Sequence, residues 1–222
     1  YSFKFPEKYI KSNVVGFFNI IEFARKKKIN NIIYASSSSV YGEQKKFPLK
    51  ENIKLNPKNL YGLTKKNNEE IAEIYSLLYK INFIGLRFFT VFGEYGRPDM
   101  FILKFLNSFK KKKPFFLYNF GNHERDFTYA KDVVKIMTKL KHKRKHSIYN
   151  ICSNNPINLK RVIKIMNKYS IKPKIKKIKF QKGDVIKTHG SNLKILKEIK
   201  NFKFTKFNLA LHKTITNNIK LL

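Results

Sequence analysis

Helical segments alternate with short apolar runs along the first part of the chain. Apolar residues recur at helical spacing from Glu7 to Lys28, and the apolar run Ile32–Ala35 follows after a polar break. The same order is repeated by a helical segment from about Asn59 to Lys80 and an apolar run from Phe83 to Phe88. Helices that alternate with buried strands are typical of a parallel sheet covered by helices. The pattern therefore predicts an α/β fold.

The rest of the chain continues with shorter segments. Three helices and two strands are predicted there: helices from about Met100 to Lys111, Asp132 to Leu140 and Leu159 to Tyr169, and strands over Phe115–Tyr118 and Ser147–Cys152. The sequence around Arg125 and Asp126 is interpreted as a turn. Beyond Ile171 basic and apolar residues alternate, and no element is predicted in the Lys- and Asn-rich C-terminal tail.

The chain is strongly basic, with a net charge of +34 from 48 Lys and Arg against 14 Asp and Glu. A field of this sign attracts polyanions, so a basic nucleic-acid-binding protein is one interpretation. The positive charge is nearly all Lys, is spread along the whole chain, and accompanies abundant Asn, Ile, Phe and Tyr. This joint bias favours compositional drift at solvent-exposed positions over a dedicated nucleic-acid surface. A basic surface would still attract an anionic small substrate.

Composition also restricts the class of protein. The hydrophobic content of 42% is too high for a disordered chain. No apolar run reaches the length of a membrane span, so no membrane association is expected. The single cysteine, Cys152, excludes an intrachain disulfide framework and suits a reducing compartment, which predicts a cytoplasmic location. The lone Cys and five His have no zinc-ligand spacing, so no metal site is predicted.

Tyr61 and Lys65 lie four residues apart near the start of the second long helix, which places both side chains on one helix face. An ammonium close to a phenol stabilises the phenolate, which can exchange a proton with a substrate hydroxyl. Ser36 to Ser39 follow the first apolar strand, at the strand end where ligands gather in parallel sheets. A Ser, Tyr and Lys set suits the oxidation of an alcohol by hydride transfer to a nicotinamide cofactor. Because Tyr and Lys are both abundant, a chance pair on a solvent-exposed helix face is the alternative.

Five sequence blocks follow one another along the chain: Ser36–Gly42, Tyr61–Lys66, Leu86–Gly93, Gly96–Met100 and Arg125–Tyr129. In this order and spacing they resemble the extended short-chain dehydrogenase/reductases, and among these most closely the UDP-glucuronate 4-epimerases. The resemblance runs from Tyr1 to about Gly183. It implies a Rossmann-like doubly wound parallel sheet with a smaller α/β substrate-binding domain. It also implies NAD-dependent 4-epimerisation of UDP-glucuronate to UDP-galacturonate, by transient oxidation at C4 and re-reduction, for polysaccharide biosynthesis.

The resemblance assigns catalytic and cofactor roles to residues of the first half of the chain. Tyr61 matches the catalytic acid/base, Lys65 the residue that holds the nicotinamide ribose, and Ser37 the catalytic hydroxyl. Asn13 and Phe88 match positions that contact the cofactor, NAD, together with Tyr61 and Lys65. For Asn13, an ordinary amide on a helix surface is an equal alternative.

Substrate contacts are implied for Ser37 and for four further residues. Thr90 and Arg97 match positions that bind the sugar carboxylate, and a guanidinium can pair with a carboxylate through two hydrogen bonds. Arg125 matches a diphosphate contact, and Asp184 matches a contact to the uridine ribose. Arg is scarce in this Lys-rich chain, which favours function over an idle surface position for Arg97 and Arg125.

The serine block separates subfamilies. Related dehydratases and decarboxylases carry an Asp or Glu beside the catalytic hydroxyl, whereas Ser38 and Ser39 follow Ser37 here. Oxidation, rotation of the 4-keto sugar and re-reduction need no such acid, which favours epimerisation with the carboxylate kept. A UDP-glucose/galactose-type 4-epimerase and another nucleotide-sugar dehydratase or epimerase remain alternatives, and so does an inactive truncated remnant.

None of the nine glycines has the spacing of the turn that seats a dinucleotide on a helix N-terminus. We therefore expect this sequence to be the C-terminal portion of a longer protein and to hold NAD poorly by itself. Residues 1–97 are predicted to be the second half of the NAD-binding domain. Residues 98–222 are predicted to be mainly the substrate domain, with about 127–152 returning to the first sheet. The resemblance also implies a homodimer that pairs through helices 7–28 and 59–80.

Overall fold

The computed structural model describes residues 4–141, 145–181 and 183–220. It divides into two compact units, each assembled from three stretches of chain. Unit 1 comprises Tyr1–Phe88, Leu140–Ile151 and Gly190–Lys200, and unit 2 comprises Phe89–Lys139, Cys152–His189 and Asn201–Leu222. The first change of unit falls after Phe88, whereas the sequence placed a boundary at residue 97. The assignment of one unit to the cofactor and of the other to the substrate stays a prediction.

The described residues contain both strands and helices. The strands are β1 (Asn31–Ser37), β2 (Asn82–Phe88), β3 (Thr90–Phe92), β4 (Phe115–Tyr118), β5 (Glu124–Tyr129), β6 (Ser147–Ile151), β7 (Pro156–Asn158) and β8 (Ile175–Ile178). The helices are α1 (Pro6–Tyr9), α2 (Gly16–Lys26), α3 (Leu60–Tyr79), α4 (Phe101–Lys110), α5 (Ala130–Lys139), α6 (Leu159–Asn167), α7 (Leu193–Glu198) and α8 (Phe207–Lys220). A π-helical segment, Ile10–Val15, joins α1 to α2, and a 3₁₀ turn, Ser38–Tyr41, follows β1. In the described part of the chain, no helix has both the length and the apolar character needed to cross a bilayer.

The sheet of unit 1 is parallel throughout, in the strand order β1–β2–β6. Its central strand, β2, is buried along almost its whole length, which explains the unbroken apolar run in the sequence. In register, Ser37 at the end of β1 lies beside Phe88 at the end of β2. A core cluster joins these strands to α2 and α3 and contains Ile21, Tyr34, Ala72, Ile81 and Phe83. The predicted α/β fold with a parallel sheet is confirmed.

Of the two long helices predicted for unit 1, the second forms as one continuous helix, α3. α3 begins after Asn59, whose Oδ1 accepts a hydrogen bond from Gly62 N at 2.9 Å, and it ends at Lys80 in the left-handed conformation. The helix predicted from Glu7 to Lys28 is not uniform, because the π-helical segment Ile10–Val15 interrupts it. A pattern search that assumes about 3.6 residues per turn does not detect the wider π-helical turn.

The described part of unit 2 contains two small sheets. β5 pairs with β3 in parallel and with β7 antiparallel, while β4 and β8 form a parallel pair. The core of this unit is rich in aromatic and aliphatic side chains from α4, α6, α8 and the strands, among them Phe105, Leu106, Phe115, Val162, Met166, Ala210, Leu211 and Ile215.

Two predictions for unit 2 are wrong. Arg125 and Asp126 lie in β5 rather than in a turn, because this segment pairs with strands on both sides. The C-terminal tail contains α8, which buries one face through Ala210, Leu211 and Ile215. The sequence analysis judged this tail by its Lys and Asn content, and so overlooked Leu211 and Ile215, which recur at helical spacing.

Candidate active site

The start of α3 and the end of β1 carry three of the residues that the sequence singled out. Tyr61 and Lys65 lie one turn apart on α3, with Lys65 Nζ 6.0 Å from the centroid of the Tyr61 ring. Lys65 Nζ also donates a hydrogen bond to the Ala35 carbonyl of β1, at 3.0 Å. Burial lowers the pKa of the Lys65 ammonium. The hydrogen bond from Lys65 to Ala35 fixes the helix that carries Tyr61 to β1, two residues before Ser37.

Ser37 ends β1 and is buried, with 7% of its surface exposed. Its Oγ accepts a hydrogen bond from Ser39 N at 3.2 Å, at the start of the 3₁₀ turn. Gly62 shows how closely this turn approaches α3, since a Cβ built on Gly62 would lie 2.6 Å from the Ser39 carbonyl oxygen. A larger residue at position 62 would therefore push the serine turn away from the helix that carries Tyr61.

Asn13 and Phe88 lie close to the same part of unit 1. Asn13, in the π-helical segment, donates from Nδ2 to Thr64 Oγ1 at 3.0 Å, and Thr64 Oγ1 donates to the Tyr61 carbonyl at 2.9 Å. Phe88 is half-buried and ends β2 beside Ser37. Unit 1 therefore holds every residue predicted for catalysis or cofactor binding, around the ends of β1 and β2 and the start of α3.

Unit 2 holds the residues predicted for substrate binding alone, in two groups. In the first, Thr90 and Arg97 line one small pocket whose other walls are mainly apolar. Arg97 donates from Nε and Nη2 to the two carboxylate oxygens of Asp99, at 3.1 and 2.6 Å. These bonds, on an exposed pair, lower the pKa of Asp99. Arg97 thus already takes the two-point geometry in which a guanidinium binds a carboxylate.

Arg125 and Asp184 form the second group, although they lie 59 positions apart in sequence. Arg125 Nη2 donates to Asp184 Oδ1 at 3.0 Å, and Arg125 Nη1 donates to the carbonyls of Glu124 and Ile186, both at 3.0 Å. Burial lowers the pKa of Arg125. The structure therefore places in direct contact two residues that the resemblance assigned separately to diphosphate and ribose.

His123 belongs to this second group but was not singled out by the sequence. It is buried, and its Nε2 lies 3.3 Å from Asp184 Oδ2. Burial and the charge of Arg125 lower the pKa of His123, whereas Asp184 opposes that change. The available signal was weak: His123 precedes Arg125 by two residues, the spacing that places extended side chains on one face.

Glu69 and Arg87 were also not singled out, although Arg87 lies inside one of the matched blocks. They form a buried ion pair, with Arg87 Nη2 2.7 Å from Glu69 Oε2, next to Ser36. The signal was Arg87 itself, the one charge in the apolar run Phe83–Phe88. A charge in a buried strand needs a partner, but the sequence does not say which residue supplies it.

A family model described as the NAD dependent epimerase/dehydratase family matches residues 1–152. The chain belongs to this family. The match includes the strand ends that carry Ser37 and Phe88 and the helix that carries Tyr61 and Lys65.

Two curated relatives are longer than this chain. An uncharacterized protein of Methanocaldococcus jannaschii is 46% identical over 193 residues, which are 86% of this chain and 59% of the relative. UDP-glucuronate 4-epimerase 4 of Arabidopsis thaliana is 36% identical over 215 residues, which are 86% of this chain and 48% of the relative. The chain therefore spans less than two thirds of the length of either relative.

A solved structure has the same fold. MoeE5 in complex with UDP-glucuronic acid and NAD has a TM-score of 0.93 at 25% identity, over 100% of this chain and 75% of that chain. MoeE5 in complex with UDP-glucose and NAD has a TM-score of 0.94 at 25% identity, over 99% and 75% of the two chains.

The residues of unit 1 fit the nicotinamide end of NAD. The Lys65 ammonium donates one hydrogen bond to the Ala35 carbonyl, and its other two hydrogens could bond to the hydroxyls of a ribose. Phe88 presents a half-buried ring at the adjoining strand end. Lys65 and Phe88 therefore have the chemistry that a nicotinamide ribose and its ring require, and their assignment to NAD stays a prediction. The sequence contains no glycine turn of the phosphate-binding spacing.

Proposed function

We propose that this chain carries the catalytic residues of an NAD-dependent UDP-sugar 4-epimerase that converts UDP-glucuronate to UDP-galacturonate. The observation that supports the proposal is the close approach of the serine turn, which directly follows Ser37, to the start of the helix with Tyr61 and Lys65, in a member of the NAD dependent epimerase/dehydratase family. The named activity of the Arabidopsis relative and the UDP-glucuronic acid in the MoeE5 complex support a uronate substrate. We place the reaction in the cytoplasm, where its product would serve polysaccharide synthesis.

The reaction exchanges one proton and one hydride at C4 of the sugar. NAD, when bound, supplies the hydride acceptor and donor. Tyr61 takes the proton of the 4-hydroxyl in the oxidation and returns it to the same oxygen in the reduction. Lys65, fixed by Ala35, holds a positive charge near the Tyr61 ring, and Ser37 donates a hydrogen bond to the reacting oxygen. When the 4-keto sugar has turned over, the same residues act on its opposite face, so C4 is inverted and no atom is gained or lost.

The side chains next to Ser37 favour epimerisation over elimination or decarboxylation. Ser38 and Ser39 carry no acid. Glu69 is hydrogen-bonded to Ser36, but Arg87 neutralises it in a buried pair. A carboxylate held in this way is unsuited to proton transfer, because protonation would leave the buried guanidinium unpaired. These contacts support retention of the substrate carboxylate.

We assign the sugar carboxylate to Thr90 and Arg97, and the UDP moiety to Arg125 and Asp184. Replacing Arg97 by leucine should raise the KM for UDP-glucuronate by about 10- to 100-fold, because a hydrogen bond to a charged group contributes about 1.5–3 kcal/mol. The KM for a neutral UDP-hexose should change by less than about threefold. Steady-state kinetics with both substrates, in the protein encoded by the complete gene, measure the difference.

The matched control is Arg161→Leu, the same change at an exposed position of α6. It should leave both KM values unchanged. An unchanged KM for UDP-glucuronate in Arg97→Leu would contradict the assignment. It would favour the second candidate, a UDP-glucose/galactose-type 4-epimerase, which the MoeE5 complex with UDP-glucose supports.

The activity itself is tested by incubating the complete protein with UDP-glucuronate and NAD and separating the sugar nucleotides by chromatography. UDP-galacturonate should accumulate to equilibrium while the total amount of uronate stays constant. Appearance of a UDP-pentose would show decarboxylation instead. The proposal fails if UDP-glucuronate is left unchanged under conditions in which the protein is folded.

We also propose that the complete protein is a homodimer that pairs through α2 and α3. Both helices expose large apolar side chains in an otherwise Lys-rich chain, and Leu77 and Leu78 on α3 are 71% and 67% exposed. Tyr75 joins the two helices, because its hydroxyl donates to Glu22 Oε1 at 2.7 Å. A contiguous apolar surface on a folded unit favours protein–protein contact. The exposed apolar residues are Phe18, Ile20 and Phe23 on α2, and Ile74, Leu77 and Leu78 on α3.

Replacing Leu77 and Leu78 together by glutamate should convert the dimer to a monomer, because each charge would have to be buried at the interface. Sedimentation equilibrium measures the mass. Leu193→Glu, at a position of α7 that is 60% exposed, is the control and should stay dimeric. A monomeric wild-type protein, or a double variant that stays dimeric, would contradict pairing through these helices.

A further inference from the structure

A buried network lies behind the serine turn of unit 1. Arg87 on β2 donates from Nε to Glu69 Oε1 and from Nη2 to Glu69 Oε2, at 2.9 and 2.7 Å. The two side chains are only 5% and 7% exposed. Burial opposes the charge of Arg87, but its bonds to Glu69 raise its pKa. The pair behaves as one unit, because loss of either partner leaves an uncompensated buried charge.

This pair holds the segment Ser36–Tyr41 at both ends. At one end, Ser36 Oγ donates to Glu69 Oε1 at 2.5 Å. At the other end, Arg87 Nη1 donates to the Tyr41 hydroxyl at 2.9 Å. The Tyr41 hydroxyl in turn donates to Asn150 Oδ1 on β6 at 2.6 Å. Burial raises the pKa of Tyr41 to about 12, so its hydroxyl keeps the proton that it donates.

The same pair is connected to the helix that carries the proposed acid/base. Glu69 follows Tyr61 on α3 by eight residues, which is roughly two turns. Lys65, between them, is bonded to the carbonyl of Ala35, and Glu69 is bonded to the next residue, Ser36. Two successive residues of β1 are therefore fixed to two successive turns of α3, immediately before Ser37.

We propose that Glu69 and Arg87 are positioning residues for the epimerase reaction, which set the place of the Ser37 hydroxyl relative to that of Tyr61. This assignment rests on the proposed function, since it directs both hydroxyls to one substrate oxygen. Glu69 and Arg87 act only through the residues that they hold. Both carboxylate oxygens are engaged by Arg87, and Arg87 Nη1 also donates to the Glu51 carbonyl at 2.9 Å. A displacement of about 1 Å at a reacting group can lower a rate about 100-fold. We therefore expect substitutions of Glu69 or Arg87 to lower kcat rather than to change KM.

The sharpest test is Ser36→Ala, because it removes the link to β1 and leaves the ion pair intact. In the complete protein, kcat should fall about three- to tenfold while KM stays within about twofold, as expected for one lost hydrogen bond. Amide hydrogen exchange over residues 36–41, followed by mass spectrometry, should become faster. The exchange measurement does not depend on activity.

The second variant, Glu69→Gln, keeps the shape of the side chain and removes its charge. It should lower kcat about 10- to 100-fold, with KM within about twofold, and speed exchange over the same residues. Adding Ser36→Ala to Glu69→Gln should cause less than about a twofold further loss, because the Ser36 contact is one of those that Glu69→Gln already disturbs. Glu73→Gln is the matched control. It makes the same change at an exposed position one turn further along α3, and should leave kcat and exchange unchanged.

Two results would overturn the inference. One is a fall in stability with unchanged kcat and unchanged exchange at residues 36–41, which would make the pair purely structural. The other is a double variant in which the two losses multiply, which would mean that Glu69 does not act through Ser36. If Glu69→Gln fails to fold, Ser36→Ala alone tests the inference, and unchanged kcat with unchanged exchange at residues 36–41 would overturn it. If the wild-type protein epimerises no UDP-sugar, the proposed function fails, and hydrogen exchange still shows whether the pair holds the serine segment.

Discussion

Replacing Tyr61 by phenylalanine should lower the turnover of UDP-glucuronate by the complete protein about 10²- to 10⁴-fold, the range for loss of a general acid–base group. The phenylalanine ring keeps the edge-on packing against Tyr9, whose ring centroid lies 6.0 Å from that of Tyr61. The melting temperature should therefore stay within a few degrees of the wild-type value. The KM should change little, because the substrate is bound mainly by other residues. Initial rates and a thermal melt on the same preparation measure both quantities.

Tyr169→Phe provides the control for this substitution. It removes a phenol hydroxyl from a partly exposed tyrosine of unit 2, beyond the end of α6. Its turnover should equal that of the wild-type protein. If Tyr61→Phe retains more than about a tenth of the wild-type turnover, then Tyr61 is not the proton-transfer group and the catalytic assignment is wrong.

Replacing Arg87 by methionine should lower the free energy of unfolding by about 3–5 kcal/mol, because Glu69 would be left as an unpaired charge in the interior. Methionine fills much of the same volume, so the loss reports mainly on the charge. Urea unfolding of the complete protein, followed by far-UV circular dichroism, measures the change. This loss would be far larger than that of a typical surface substitution.

An exposed ion pair on the same helix provides the comparison. Lys66→Met removes the partner of Glu70, which lies one turn away on α3 and is largely exposed, and should change stability by less than about 1 kcal/mol. The double variant Glu69→Leu with Arg87→Met removes both buried charges and should recover most of the stability lost by Arg87→Met. If Arg87→Met destabilises no more than Lys66→Met, the buried pair is not an electrostatic unit.

The sequence predicted those elements whose signals are local. α3 was predicted from about Asn59 to Lys80 and runs over Leu60–Tyr79, because an asparagine cap and a left-handed residue delimit it. β5 was missed because the polar pair Arg125-Asp126 resembles a turn, while its pairing with two other strands is a tertiary property. α8 was missed because the tail was judged by its Lys and Asn content and not by the helical spacing of Leu211 and Ile215.

The residues of the candidate site also fall into those with a local sequence signal and those without one. Tyr61 and Lys65 follow from a spacing within one helix, and Ser37 from a block that lies directly after a strand. The partner of Arg87 could not be predicted, since Glu69 is 18 residues away and is one of several glutamates on α3. His123 remained hidden for a related reason. Its neighbour Asp184 comes from a distant loop, and no period in the sequence connects them.

The division into units has a consequence for synthesis on the ribosome. The chain passes between the units after Phe88, Lys139, Ile151, His189 and Lys200. Unit 1 lacks its third strand, β6, until residues 147–151 have been made, and it lacks α7 until residues 193–198 have been made. Most of unit 2 is therefore synthesised while unit 1 is still open. Domains generally fold as units, and non-local strand pairing is slow. We therefore expect both units to reach their final packing only late in synthesis. No single cut in the chain would release either unit intact.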